Sequence, residues 1–292
     1  DGYPHICAQN RFYGNINYSW GDAVGWHYDI VEHNNTPYAG RIALDPVGQP
    51  YVFYTDTTTW RLTLAHRVGG VWQLEYPIEW ELLPDPTGVE MLAWDVAVDP
   101  GTGIPQICYT WRQIEDPAGV RIAWATRVPD GAQHPWTVTV VADKATDGIE
   151  GVNASLALGP DAVPRISFFD EGAQDLLLWT ADPPGPADPI QTAGTVGRYN
   201  SLAVDGSGAS HLIYTDETAE TLNYMHGDVE VVSPVGTYTQ VRLTSLARVA
   251  LIAPDNSIAH GKGSAEAYRG MFRLLTEGHI PFDVLYDWQL ED

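Results

Sequence analysis

Residues 42–56 read Ile42-Ala43-Leu44-Asp45-Pro46-Val47-Gly48-Gln49-Pro50-Tyr51-Val52-Phe53-Tyr54-Thr55-Asp56. This segment is a short apolar run, a cluster of turn residues and an aromatic run. Apolar and aromatic runs of this length that flank Asp, Pro and Gly are typical of two β-strands joined by a tight turn. The segment therefore predicts an antiparallel hairpin.

The same phrase recurs along the whole chain. The position that Pro50 occupies is held in turn by Pro4, Pro50, Pro105, Pro164, Ser210 and Ser257, at steps of 46, 55, 59, 46 and 47 residues. Repeats of roughly 40 to 50 residues with four short strands each are typical of propeller blades. The sequence predicts an all-β fold, a six-bladed β-propeller of four-stranded antiparallel blades, as a single domain over residues 1–292; five or seven blades are the alternatives.

The two ends of the chain together complete one more phrase. Residues 288–292, read on into residues 1–4, reproduce the spacing of residues 42–50. We expect the C-terminal segment to supply the inner strand of the blade whose second strand is N-terminal, because pairing the termini removes two sheet edges. The chain begins at Asp1 and not at Met, and we expect the processed form of an extracellular or cell-surface protein.

Charge and hydrophobic patterning exclude two classes of partner. The chain has 38 acidic and 15 basic side chains and a formal net charge of −23, which repels phosphate backbones, so we expect no nucleic-acid partner. The longest apolar runs are strand-length, so we expect no membrane insertion. Cys7 and Cys108 hold equivalent positions in non-adjacent repeats, and we expect both to be free and buried.

Strand direction brings a set of polar residues to one rim. Inner strands are expected to begin there, and second strands to end there; we name it the top rim, and the opposite rim, where hairpins join inner to second strands, the bottom rim. From this ring we take eight candidate ligand-binding residues: Arg41, Asp56, Asp95, Trp111, Asp170, Asp216, Arg248 and Asp287. Three more aromatic residues, Tyr38, Trp94 and Tyr199, lie nearby in sequence.

These residue types suit a sugar. A pyranose stacks its apolar face on an aromatic ring, here Trp111, and its hydroxyls need fixed donors and acceptors. An Asp that ends a strand also commonly binds the backbone of its own turn, which is the alternative role for Asp56, Asp170 and Asp216.

Catalysis and metal binding are weaker expectations. Glycoside hydrolysis needs two carboxylates at a set separation, for which Asp95 with Asp170 is one candidate pair. A lyase needs a His or Tyr base, and the strand assignment puts most histidines near the bottom rim. We therefore assign no catalytic residue and expect no cofactor; calcium at the oxygen-rich segment 170–175 is the alternative.

The repeat resembles one that is found in secreted bacterial propeller proteins. The resemblance rests on the Leu-Ala-Leu-Asp phrase, the Gly turn, Pro, the strand with Tyr-x-Asp, and the later Leu-x-x-Ala strand with its hairpin Trp, and it covers nearly the whole chain. It implies a fold that serves lectins, adhesins, enzymes and scaffolds alike. The chain is also similar to sialidases in its six repeats, but it lacks their Ser-x-Asp-x-Gly-x-Thr-Trp box, and five-bladed glycosidases share only its size.

The function that fits best is non-catalytic. We expect an extracellular binding or structural propeller that recognises a glycan or a protein partner at the top rim. One alternative is a carbohydrate-active enzyme, a glycoside hydrolase or polysaccharide lyase, that uses top-rim carboxylates. A second is a subunit of a surface layer or fibre, formed by self-assembly.

Overall fold

A computed structural model of the chain describes residues 3–10, 14–32, 37–56, 61–77, 89–113, 116–128, 136–228, 239–242, 249–253 and 282–286. The chain divides into two compact units, Asp1–Arg242 and Leu243–Asp292.

The described residues of the first unit form five antiparallel sheets in chain order. Sheet A has strands β1 (His5–Asn10), β2 (Asn15–Gly21) and β3 (Trp26–Glu32), and sheet B has β4 (Pro37–Leu44), β5 (Pro50–Asp56), β6 (Leu62–Val68) and β7 (Val71–Glu75). Sheet C has β8 (Val89–Val98), β9 (Pro105–Gln113), β10 (Asp116–Arg127) and β11 (Trp136–Asp143), followed by the single turn of helix α1 (Lys144–Asp147). Sheet D has β12 (Gly151–Leu158), β13 (Pro164–Asp170), β14 (Asp175–Thr180) and β15 (Asp188–Gln191), and sheet E has β16 (Val196–Val204), β17 (Ala209–Asp216), β18 (Thr221–Asp228) and β19 (Thr239–Arg242).

Sheets B to E confirm the predicted four-stranded antiparallel unit. In each of them the strands pair in chain order, from an inner strand to an outer one. The innermost strand of each sheet lies beside that of the next sheet along the chain, in the order β4, β8, β12 and β16. Strand β1 lies beside β4. Sheet A has three strands, and its first, β1, corresponds to the second strands of the other sheets.

The core lies between successive sheets. Alternate residues of one strand pack in opposite directions: Val52 and Tyr54 pack against sheet A, whereas Tyr51 and Phe53 pack against sheet C. Further clusters fill the spaces between sheets C and D and between sheets D and E. Burial on both faces explains the near-continuous apolar runs, and each fully buried aromatic or aliphatic side chain contributes about 1.5–3 kcal/mol.

Two expectations from the sequence need correction here. Cys108 is buried, but Cys7 is only half-buried, and both are free thiols. The inner strands begin four to six residues before the expected starts at Arg41, Asp95, Ser155 and Ser201. Each carries a β-bulge just before that residue, at the register shifts Tyr38/Arg41, Met91/Ala93, Val152/Ser155 and Val196/Asn200.

The second unit contains one described sheet. Strand β20 (Val249–Ala253) pairs in parallel with β21 (Phe282–Tyr286), whereas the repeat predicted an antiparallel hairpin with residues 257–260. Those residues, and the ring-closing segment 288–292, lie outside the described residues. Six blades, ring closure and a single domain over residues 1–292 stay predictions. No helix in the part of the chain described above has the length and apolarity that a membrane crossing requires.

Candidate functional site: the top-rim cleft

The four bulges form a cleft at the top rim. Its cavity has a volume of ≈ 190 Å³ and lies across the inner strands of sheets B to E. The lining residues are bulge residues or their immediate neighbours: Arg41, Leu92, Ala93, Trp94, Asn153, Ala154, Tyr199 and Asn200. Bulges commonly occur at sheet rims, where they re-aim side chains.

Two residues in the bulges have a backbone conformation that suits their residue types. Asn153 has φ 54° and Gly197 has φ 97°, both in the left-handed region. A Cβ on Gly197 would lie 2.6 Å from Cβ of Leu176, so only glycine fits there. Asn is among the few other residues that adopt such a φ at low cost.

Two carboxamides fix the bulges of sheets D and E to each other. Asn153 Nδ2 donates to the carbonyl oxygen of Arg198 at 2.7 Å. Asn200 Nδ2 donates to the carbonyl oxygens of Asn153 at 2.7 Å and Gly197 at 2.9 Å, and its Oδ1 accepts from Ser167 Oγ at 2.6 Å. Asn200 is thereby fully used in fixing the wall, while no described residue donates to Asn153 Oδ1.

Arg41 and Tyr199 are the exposed groups of the cleft. Tyr199 is 67% exposed, and its backbone N–H donates to Thr215 Oγ1 at 3.2 Å, which fixes the strand beneath the ring. Arg41 is also exposed, and no ion pair among the described residues involves it. Trp94 forms the buried floor. The cleft therefore presents an aromatic face, a guanidinium and a carboxamide oxygen.

Asp95 lies one step inside the rim and links three sheets. Its Oδ2 accepts from Ser155 Oγ at 3.1 Å and from the backbone N–H of Leu156 at 2.9 Å. Ser155 Oγ in turn accepts from the backbone N–H of Leu202 at 3.1 Å. Burial raises the pKa of Asp95, against the opposing effect of these donors and of Arg41. Arg41, Asp95 and Ser155 hold the same repeat position, and at this position Asp95 bonds to sheet D and Ser155 to sheet E.

The other candidate residues are placed as follows. Trp111 is 8% exposed; it packs in the core between sheets B and C beneath the Arg121 guanidinium, 5.1 Å from its ring, so its ring is not available as a platform. Asp170 accepts from the backbone N–H of Gly172 and Asp216 from that of Ala219, as expected for strand-ending aspartates that bind their own turns. Asp170 is also buried and accepts from the backbone N–H of Glu150, which precedes β12.

Three candidates cannot be placed by side chain. Asp56 ends β5 opposite Pro37, at the top rim as predicted, but its side chain lies outside the described set. Arg248 and Asp287 lie outside the described residues altogether. Of the predicted site residues, the structure therefore brings Arg41 and Asp95 to neighbouring inner strands. It adds Tyr199, Trp94 and the two asparagines to the candidate site. The sequence had indicated the two aromatic residues but not the asparagines.

The comparisons with known proteins concern fold alone. No family model matches the chain. No curated protein matches it either. Among solved structures, TolB from Acinetobacter baumannii aligns with TM-score 0.52 and 12% identity over 86% of this chain and 55% of its own. A mutant of Aleuria aurantia lectin in complex with Fucα1-6GlcNAc aligns with TM-score 0.54 and 12% identity over 84% of this chain and 75% of its own.

The order of the sheets in the first unit and these alignments indicate the same fold. The fold is that of a β-propeller. A Hadza microbial sialidase also aligns, with TM-score 0.51 and 12% identity over 81% of this chain and 53% of its own. The chain spans about half the length of TolB and of the sialidase. Propellers serve many activities, so function must be argued from the cleft.

Proposed function

We propose that the protein is an extracellular, non-catalytic propeller that binds a glycan in the top-rim cleft. The observation that carries the proposal is the exposed Tyr199 ring beside the Arg41 guanidinium on a wall fixed by Asn153 and Asn200. A sugar ring stacks on such a phenol, and its hydroxyls bind the guanidinium and the Asn153 oxygen.

The comparisons support this class of ligand in one respect. The Aleuria aurantia lectin structures, with TM-scores of 0.54 and 0.53, hold Fucα1-6GlcNAc and α-methyl-L-fucoside on the same fold. The proposal also includes six blades, ring closure by the termini and secretion from a bacterium, all of which rest on the repeat.

Two alternatives concern other partners. One is a protein partner that binds at the same rim. The other is self-assembly into a layer or fibre, which light scattering against protein concentration and calcium would reveal.

Binding is favoured over hydrolysis by the use of Asp95. Both of its oxygens accept bonds: Oδ1 accepts from the backbone N–H of Val96 in its own strand, and Oδ2 accepts from that of Leu156 and so joins sheet C to sheet D. The described groups that line the cleft are suited to holding hydroxyls, not to moving protons. Enzymatic activity is tested by incubation with mixed polysaccharides: reducing ends or unsaturated uronates would replace the binding proposal with the enzymatic alternative.

A glycan array followed by titration calorimetry tests the proposal. We expect binding to at least one oligosaccharide, and we expect Tyr199→Ala to weaken it about tenfold, because a lost stacking contact costs about 1.4 kcal/mol. Tyr28→Ala is the matched control, since Tyr28 is 73% exposed on the outer strand of sheet A. An array without binding, or equal affinities of the two variants, would refute the proposal.

A further inference from the structure

A second cluster of polar groups lies on the bottom rim of sheet E. Asp205 follows β16 in the hairpin turn, His211 lies on β17, and His226 lies directly opposite it on β18. One ligand atom from each of the three residues lies within 4.8 Å of the other two. Asp205 follows the end of β16 and lies six residues after Tyr199, about 20 Å along the chain, so this cluster is separate from the cleft.

Asp205 divides its two oxygens between the turn and the cluster. Oδ1 accepts from the backbone N–H groups of Ser207 at 2.8 Å and Ala209 at 3.0 Å, which fixes the turn. Oδ2 lies 3.1 Å from Nε2 of His211. The turn therefore holds one carboxylate oxygen next to an imidazole nitrogen, independently of any ligand.

Tyr224 orients the first imidazole. Its hydroxyl lies 2.6 Å from Nδ1 of His211, so the ring cannot rotate without breaking this bond. When Nδ1 carries the ring proton and donates it to Tyr224, the lone pair of Nε2 points to the cluster. A second bond that fixes ring orientation and tautomer is the usual companion of a metal-binding histidine.

The same pair in sheet A shows what sheet E adds. Nδ1 of His5 lies 2.6 Å from the hydroxyl of Tyr18, and His5 holds the same repeat position as His211. The residue opposite His5 on β2 is Trp20, whereas the residue opposite His211 is His226. The His–Tyr pair is thus a recurring packing feature, and within the described residues only sheet E surrounds it with a carboxylate and a second imidazole.

We propose that Asp205, His211 and His226 bind Zn²⁺, with water in the fourth position. Two imidazole nitrogens and one carboxylate oxygen suit zinc, whereas calcium and magnesium prefer oxygen ligands throughout. Zinc bonds of about 2.0–2.2 Å require the three atoms to move closer, which the exposed Asp205 and the half-buried histidines permit. In the imidazolium form of His211, Nε2 carries a proton that it donates to Oδ2; Zn²⁺ replaces this proton, which leaves to solvent, while Nδ1 keeps the proton that it donates to Tyr224.

The bound ion joins the turn to two strands of sheet E. This differs from calcium at segment 170–175, where Oδ1 of Asp170 already accepts from the backbone N–H of Gly172 in its own turn and from that of Glu150, which precedes β12. The calcium alternative stays an expectation from the sequence. The histidines were expected near the bottom rim, but the sequence alone did not pair His211 with His226, because the pairing depends on strand register.

Titration calorimetry with zinc chloride on the chelator-treated full chain tests this site. We expect one Zn²⁺ per chain, release of protons measurable from the buffer dependence of the heat, and a higher melting temperature that a chelator reverses. His226→Ala should weaken Zn²⁺ binding at least tenfold, and Asp205→Asn should do the same while its Oδ1 still holds the turn. His5→Ala, which removes the equivalent imidazole of sheet A, should leave Zn²⁺ binding unchanged.

Three results would overturn the proposal. These are no heat above the buffer control, equal Zn²⁺ affinity of wild type and His226→Ala, or equally strong binding of calcium at the same residues. Circular dichroism of the metal-free variants shows that they are folded before titration. Because Asp205→Asn preserves the turn, it decides the question if His226→Ala fails to fold.

Discussion

Asp95 at the top rim and Asp161 at the bottom rim lie in neighbouring sheets, and their surroundings shift their pKa values in opposite directions. Burial raises the pKa of Asp95, which lies inside an inner strand and accepts bonds from the next sheet. Hydrogen bonds from Arg165 lower the pKa of Asp161, which lies in the turn between β12 and β13. One carboxylate connects sheets, and the other holds a hairpin.

The same difference extends along both rims. On the bottom rim, Asp45, Asp99 and Asp205 each accept from backbone N–H groups of their own turns, so one residue type serves one repeated task. On the top rim, the repeat position at which the inner strands were expected to begin holds Arg, Asp or Ser in different sheets. A β-bulge precedes this position in each of these strands. The bottom-rim position thus keeps one residue type, which closes hairpins, whereas the top-rim position beside the cleft differs in residue type from sheet to sheet.

Gly197→Ala should have the largest effect, because it breaks the packed bulge at the top rim. A Cβ there would lie 2.6 Å from Cβ of Leu176, in a backbone conformation with φ 97°. Strain and overpacking together should cost about 3 kcal/mol in the free energy of unfolding. Urea denaturation measures it.

Gly208→Ala is the matched control on the bottom rim. Gly208 has φ 92°, but a Cβ there meets nothing within 4 Å. The variant should lose only the conformational contribution, about 1 kcal/mol. If both variants lose the same stability, the bulge is not packed as described, and the contrast between the rims fails.

Asp161→Asn should have the next largest effect. Arg165 is 2% exposed, and its Nη2 donates to Asp161 Oδ2 at 2.7 Å, so the variant leaves a buried guanidinium without its anion. The loss at pH 7 should be about 2 kcal/mol, less than for a fully buried pair because Asp161 is partly exposed. The lowered pKa means that this stability is present above the unfolded-state pKa of about 3.9 and is lost as the pH falls through the folded-state value.

Asp95→Asn should give the smaller effect, with the opposite pH dependence. Because the folded-state pKa of Asp95 is raised, its contribution is fully present below the unfolded-state value and is lost as the pH rises through the folded-state one. Lowering the pH from 7 to about 4 should therefore raise the free energy of unfolding of wild type relative to Asp95→Asn. Lowering it further, to about 3, should reduce the difference in free energy of unfolding between wild type and Asp161→Asn. Urea denaturation across this pH series checks both; equal signs would contradict the assignment.

The sequence predicted the strands of the first unit better than it predicted the site. Spacing from Pro50 and its equivalents located the second strands, because turn residues and alternation lie next to each other in the chain. The bulges were missed, although Gly40 and Gly197 inside strands are the expected signal of one. Trp111 was assigned to the mouth although it lies two residues after the inward-facing Tyr109, so alternation already placed it in the core.

The central claim is that the top-rim cleft is the ligand-binding face. Amide hydrogen exchange, with and without the tightest-binding glycan of the array, tests it most directly. The account predicts slower exchange at residues 92–94, 153–154 and 199–200, and no change at the bottom-rim turn 205–208. Unchanged exchange in the cleft, or protection confined to the bottom rim, would contradict it.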